Sequence, residues 1–163
     1  MRINAIIGVA SAASLLAACG GTAGTEDGES VAGDASEDVA AAGAPSAEST
    51  DTLDGTKLAD FTGDAAKGEK VYLQCKSCHV LEEGQHRIGP SLAGILGKTA
   101  GKIENFDYSP ANANSGITWT PEKMFQYLEK PQRIIPGTKM AYPGLSDPQK
   151  RADLIAYLGT AGE

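Results

Sequence analysis

The first regular pattern of apolar and polar positions begins after residue 63. Asp64 is of a residue type that commonly caps helix N-termini, and residues 65–74 follow it with Val71 and Tyr72 on one helical face. The pattern therefore predicts a helix whose inward face includes these two side chains.

Three later helix starts are each marked by a polar capping residue and a proline. Residues 109–110 predict a short helix, and residues 120–121 begin a longer one in which Met124 lies on the apolar face. Residues 146–149 resemble a capping box that precedes a last apolar face. Because the intervening glycine-rich loops need no sheet, we expect an all-α domain of three to five helices over residues 63–163.

The first 18 residues have the composition of an export signal. Arg2 precedes an apolar, Ala-rich run over residues 3–18, which is short for a helix that spans a bilayer. The run ends in Leu16-Ala17-Ala18-Cys19, which resembles the bacterial lipobox and predicts a lipid anchor on Cys19. Ordinary cleavage near this point, with Cys19 incidental, is the alternative.

Residues 19–62 are predicted to form a flexible acidic linker. They have almost no large apolar side chain, so they bury too little surface to offset the entropy cost of ordering. Residues 20–60 contain ten acidic residues and one lysine, a net charge of −9, whereas residues 61–163 carry +1. Because the chain is acidic and has no basic stripe, we do not expect it to bind nucleic acid.

The strongest chemical motif is Cys75-Lys76-Ser77-Cys78-His79, which has the spacing of a c-type haem attachment site. Two thiols at this spacing can reach the two vinyl groups of one haem edge, and the adjacent histidine can bind the iron. A thioredoxin-like thiol pair is an alternative, but it would require a βαβ context. A zinc site that adds His86 is another, although its loop would be unusually compressed.

The second axial ligand decides between electron transfer and chemistry at an open iron site. The candidates are Met124, Met140, His86 and the lysines. Met124 is assigned to the core by its helical face. Met140 lies in a loop that contains proline and glycine, where the sequence gives it no obvious packing role. We therefore expect Met140 to be the iron ligand.

From Gly63 to Leu158 the sequence resembles the mitochondrial-type class I cytochromes c and their soluble bacterial relatives. Besides the haem motif, the resemblance rests on residues 86–90, 108–119 (YSPANANSGITW), 127–129, 136–140 (PGTKM) and 153–158 (DLIAYL). It implies a small all-α fold wrapped around one covalently bound haem c, with Gly68 and Tyr72 packed against Leu154 and Tyr157.

The resemblance also implies individual roles around the haem. His79 and Met140 would be the axial ligands, the Pro90 carbonyl would accept a hydrogen bond from the His79 ring, and His86 would brace a loop. Tyr108 and Trp119 would bond to a haem propionate. A polar network near Met140 would comprise Asn112, Tyr127 and Thr138.

Two departures from the family pattern concern charge. Lys98 stands where these cytochromes usually have an arginine that faces the propionates, and lysine lacks the planar fork of arginine. Several positions around the expected haem edge, where these cytochromes usually carry lysine, are also uncharged in this sequence. The remaining candidates for partner docking are Lys76, Arg87, Lys130, Arg133 and Lys139.

The function implied is that of an electron carrier without enzymatic activity, monomeric and tethered to a membrane in the bacterial periplasm. Its expected partners are a cytochrome bc complex as donor and a terminal oxidase, peroxidase or photosynthetic reaction centre as acceptor. The alternative is a five-coordinate haem peroxidase or gas sensor, which would require that Met140 does not bind iron.

Overall fold

The computed structural model describes residues 43–161, and it is built from helices and loops. Within this range the elements are a 3₁₀ helix Leu58–Asp60, α1 Ala65–Tyr72, α2 Pro110–Ala113, α3 Pro121–Glu129, α4 Pro131–Ile134 and α5 Pro148–Thr160. The β pairing in these residues is limited to one isolated bridge between Thr99 and Thr118. The predicted all-α fold is confirmed.

The predicted helix starts agree with the structure at three of four positions. The side chains of Asp64, Ser109 and Thr120 each accept hydrogen bonds from backbone N–H groups in the first turns of α1, α2 and α3. The predicted cap of α5 is wrong by one residue, because Asp147 and not Ser146 accepts from the first turn. α1 also ends at residue 72, two residues earlier than predicted, where tight turns begin.

α1 and α5 cross at a glycine. A Cβ atom added at Gly68 would lie 2.7 Å from Tyr157 Cβ and 2.6 Å from the carbonyl carbon of Asp153. The rings of Tyr72 and Tyr157 then meet at 5.5 Å between centroids. The expected contact between the first and last helices is therefore present, and Gly68 meets Asp153 and Tyr157.

α3 supplies the centre of the core. Met124, Phe125 and Leu128 are each at most 5% exposed, and the core also includes Trp119 and Leu154. The assignment of Met124 to the core is thus confirmed, which removes it from the candidates for iron ligation.

The expected linker boundary at residue 62 differs from the structure. Residues 43–62 lie along the domain, and backbone N–H groups at Leu53 and Asp54 donate to the Glu129 carboxylate. The prediction considered only apolar side chains, whereas this segment is held mainly through its backbone. The predicted signal peptide, Cys19 and the rest of the linker lie outside the described residues.

None of the helices described between residues 43 and 161 is long and apolar enough to cross a bilayer.

Candidate functional site

The haem motif forms a compact loop at the end of α1. The backbone N–H groups of Cys78 and His79 both donate to the Cys75 carbonyl, at 3.0 and 2.9 Å. Both thiols are free and half-buried. These turns bring Cys75, Cys78 and His79 to the wall of one cavity.

The His79 ring is held in one orientation by the loop that follows it. Its Nδ1 lies 2.7 Å from the Pro90 carbonyl oxygen, which can only accept, so Nδ1 carries the proton and Nε2 is left with a free lone pair. Burial lowers the pKa of the imidazole and outweighs the bond to Pro90, which raises it. A neutral imidazole with a free Nε2 is the form that binds a metal.

Gly89 allows this close approach, since a Cβ atom there would lie 2.7 Å from His79 Nδ1.

Met140 is positioned by two polar side chains. The Tyr127 hydroxyl donates to Met140 Sδ at 3.3 Å, and the Met140 N–H donates to the Thr138 hydroxyl at 3.3 Å. Burial raises the pKa of Tyr127 to about 12, so the phenol stays protonated and can donate. The expected polar network near Met140 therefore includes Tyr127 and Thr138.

Asn112 departs from that network. Its side-chain oxygen is buried and has no hydrogen-bond partner among the described residues. α2 places this amide at the wall of the cavity that Tyr127, Thr138 and Met140 also line, but without a hydrogen bond to them. An unpaired buried carbonyl is costly, which indicates that another group completes this site.

The cavity has a volume of about 340 Å³ and a mainly apolar wall. Its lining residues include both cysteines, His79, Ile88, Pro90, Leu92, Ile95, Phe106, Tyr108, Asn112, Trp119, Tyr127, Leu128, Thr138, Met140, Tyr142, Leu154 and Leu158. Two free thiols, a neutral imidazole, a thioether and apolar walls together fit a haem c.

The expected propionate partners lie in two different environments. Tyr108 and Trp119 line the cavity, and the Trp119 ring packs against Tyr127 in a tilted arrangement with 4.7 Å between ring centroids. Lys98 does not line the cavity, because its ammonium group donates to the Ala93 carbonyl at 2.9 Å. The expected place of Lys98 near the propionates stays a prediction.

His86 acts as a brace between loops. Its Nδ1 accepts from the Ser91 N–H at 3.1 Å, and its Nε2 donates to the Glu104 carbonyl at 2.9 Å. Because both ring nitrogens are engaged by the backbone, His86 is not placed to bind zinc or iron.

The thiols do not have the character of a redox pair. Burial, with a smaller effect of Cys78, raises the pKa of Cys75 to about 11. Reactive thiols in disulfide exchange have lowered pKa values instead. The thioredoxin-like alternative is therefore not supported.

The candidate docking residues differ in availability. Lys76 and Lys130 are exposed, while Arg87 donates to the Lys76 carbonyl and Lys139 forms an ion pair with Asp107 at 2.7 Å. Arg133 is the exception. It is half-buried and donates to the Asp51 carbonyl at 2.7 Å, so less of its charge is exposed than at the other four positions, and its part in partner docking stays a prediction.

Several apolar and aromatic cavity residues were missed by sequence reasoning, and two of them stand in loops. Tyr142 lines the cavity from the loop after Met140, and Ile88 lies at its rim with 82% of its surface exposed. Both stand in loops without periodicity, so no pattern of apolar positions indicates them.

Comparison with known proteins agrees with this site. The family model for cytochrome c matches residues 65–162. Cytochrome c2 of Rhodopila globiformis is 50% identical over 99 residues, covering 60% of this chain and 93% of that protein. Cytochrome c2 of Blastochloris viridis is 51% identical over 96 residues, covering 58% and 76%. The structure of cytochrome cH from Methylobacterium extorquens matches with a TM-score of 0.57 and 44% identity, covering 60% of this chain and 99% of its own.

The fold, the cavity and these matches define a class I cytochrome c. The chain belongs to the cytochrome c family. It binds one haem c and is a haem-based electron carrier.

Proposed function

We propose that the chain carries single electrons through a haem c attached to Cys75 and Cys78, with His79 and Met140 as its axial ligands. The observation that supports this most directly is the placement of a free His79 Nε2 and of Met140 Sδ at the wall of one cavity. When bound, the haem supplies an iron that alternates between the ferric and ferrous states.

The protein's part would be to supply two neutral donors to the iron, the His79 imidazole and the Met140 thioether. Pro90 fixes the imidazole, and Tyr127 and Thr138 fix the methionine. Two such donors would compete with peroxide or a gas for the iron. Histidine–methionine ligation also raises the reduction potential, which suits a carrier that delivers electrons to an oxidising partner.

We further propose a periplasmic location with a lipid on Cys19. The composition of residues 1–18 and the lipobox-like segment support it. Replacing Cys19 by serine should release the protein from isolated membranes into the soluble fraction, and wild-type protein should incorporate labelled fatty acid. A Cys19→Ser protein that stays in the membrane would refute lipid anchoring.

The proposed partners are a cytochrome bc complex as donor and a terminal oxidase, peroxidase or reaction centre as acceptor. Lys76, Arg87, Lys130 and Lys139 would steer association at the haem edge near Cys78, with a small interface and a rate that falls as salt is raised. Stopped-flow oxidation by purified acceptor at two ionic strengths tests this, since a rate independent of salt would exclude steering by these charges.

The ligand assignment is tested with a matched pair of variants. Met140→Ala should abolish the sulfur-to-iron absorption of the ferric protein and allow carbon monoxide to bind the ferrous protein. Met124→Ala, which removes a core methionine outside the cavity wall, should keep the wild-type spectrum. An unchanged spectrum in Met140→Ala, or binding of carbon monoxide by wild-type protein, would favour the five-coordinate alternative.

A further inference from the structure

Three charged side chains of the domain lie beneath the N-terminal segment. Lys123 is 2% exposed, Arg151 is fully buried, and the side chain of Glu129 is 7% exposed. Burying charges without partners is costly, so the groups that cover them are part of their stability. Those groups belong largely to residues 46–57, which we call the strap.

At one end the strap is held by lysine and glutamine of α3. The Lys123 ammonium donates to the carbonyls of Ser46 and Ser49, at 3.1 and 2.7 Å, and to the side chain of Gln126. Gln126 in turn donates to the Asp51 carbonyl at 2.9 Å. These bonds use the backbone of the strap, so they depend little on its side chains.

At the other end the strap completes an ion cluster. The N–H groups of Leu53 and Asp54 donate to Glu129 at 2.6 and 3.1 Å, and the Asp54 carboxylate accepts from Arg151 at 2.6 Å. The Arg151 guanidinium also lies 4.4 Å from the centre of the Phe125 ring. Without the strap, Arg151 would lose its closest carboxylate while remaining in the core.

The strap lies outside the part of the chain shared with the relatives. The family model matches residues 65–162, and the cytochrome cH match covers 99% of that protein but only 60% of this chain. The buried charges on α3 and α5 thus have partners in a segment that the family match does not include.

The strap and the haem cavity occupy different faces of α3. Residues 123, 126 and 129 hold the strap, while Tyr127 and Leu128 line the cavity. At 3.6 residues per turn, the two groups are centred about 150° apart around the helix axis. The strap therefore lies on the side of α3 that faces away from the haem.

We propose that the strap is an integral part of the folded domain and fixes the point from which the membrane tether leaves, on the face of α3 away from the haem. This rests on the proposed lipid anchor at Cys19. The tether is then the 24 residues 19–42 and not the 44 residues 19–62, so its greatest possible reach falls from roughly 150 Å to roughly 80 Å. The haem edge is thereby kept clear of the tether for partner docking.

Amide hydrogen exchange of the reduced, full-length holoprotein, measured by NMR, tests the strap. The amides at positions 53 and 54 should be protected, and Asp54→Ala should raise their exchange rates about tenfold by removing the bond to Arg151. Asp51→Ala is the control, because the Asp51 side chain contacts Ser49 alone while its carbonyl binds the domain. Wild-type amides that exchange at unprotected rates, or equal acceleration in both variants, would overturn the proposal.

Tether length is tested in membranes that hold the protein and its electron acceptor. Deleting residues 24–35 removes half of a tether that ends at residue 42, so electron transfer should slow, and Asp54→Ala should partly restore the rate by lengthening the free segment. A deletion without effect on the rate, or with an effect that Asp54→Ala does not relieve, would overturn the proposed exit point. Cys19→Ser protein that remains membrane-bound would instead refute the lipid anchor, while the hydrogen-exchange result would still decide the strap.

Discussion

The helix crossing at Gly68 gives a quantitative test of the fold. In Gly68→Ala the new Cβ would meet Tyr157 Cβ at 2.7 Å, about 0.7 Å closer than ordinary van der Waals contact, and would overlap the carbonyl of Asp153. The carbonyl belongs to the backbone of α5 and cannot rotate away as a side chain can. Relief would therefore require α1 and α5 to separate.

Overpacking of this kind costs typically about 1–3 kcal/mol, and we expect the upper end because backbone is involved. For a domain of this size, a loss of about 3 kcal/mol lowers Tm by about 12–20 °C. The haem absorption should remain c-type, since the thioethers are covalent. Denaturation of the holoprotein, followed by far-ultraviolet circular dichroism, measures the free energy of unfolding.

Gly159→Ala is the matched control. Gly159 also lies in a helix, but its nearest neighbour would be Leu96 Cδ1 at 3.9 Å. Alanine there should stabilise the protein by up to about 0.5 kcal/mol through helix propensity. If Gly68→Ala unfolds within 0.5 kcal/mol of wild type, the close crossing of α1 and α5 described here is wrong.

Three further predictions concern the site and the strap. Tyr127→Phe removes the hydroxyl that donates to Met140 Sδ, so the sulfur becomes a better donor to ferric iron. The midpoint potential in a redox titration should therefore fall by about 20–40 mV. An unchanged potential would contradict the hydrogen bond between Tyr127 and Met140. Gly89→Ala places a Cβ 2.7 Å from His79 Nδ1, and the yield of holoprotein with a low-spin spectrum should drop, whereas a normal yield would show that the ring can move. Burial favours a higher pKa for Asp54, but hydrogen bonds from Thr56 and Arg151 outweigh it and hold that pKa well below its ordinary 3.8. Its stabilising effect is therefore present above 3.8 and is lost progressively as the pH falls from there through the lowered pKa of the folded state. The free energy of unfolding of Asp54→Asn should therefore fall less than that of wild type between neutral pH and about pH 3. Plots of unfolding free energy against pH that run parallel for the two proteins would contradict this.

The haem site was predictable because its chemistry is local in sequence. The thiols and histidine of residues 75–79 are close together in the chain, and the loop pattern around Met140 gives no packing reason for it in the sequence, although the structure packs it half-buried against the core. The helix starts were predictable for a similar reason, since Asp64, Ser109 and Thr120 cap the helices that follow them directly. At the start of α5 the predicted cap is wrong because two neighbouring polar residues, Ser146 and Asp147, are both suitable as the N-cap.

The strap was not predictable because its contacts are distant in sequence and use the backbone. Nothing in the composition of residues 46–57 shows that the Asp51 carbonyl accepts from both Gln126 and Arg133. The same contact engages Arg133, whose charge looks fully available in the sequence but is partly held by the strap. For Lys98, the bond to the Ala93 carbonyl depends on how the loop folds back, which residue type alone does not determine.

X-ray absorption at the iron edge of the purified holoprotein, in both oxidation states, identifies the ligands of the iron. We expect one sulfur ligand and otherwise nitrogen ligands around a six-coordinate iron, unchanged between the ferric and ferrous forms. A vacant position, or an iron without sulfur in either state, would contradict it.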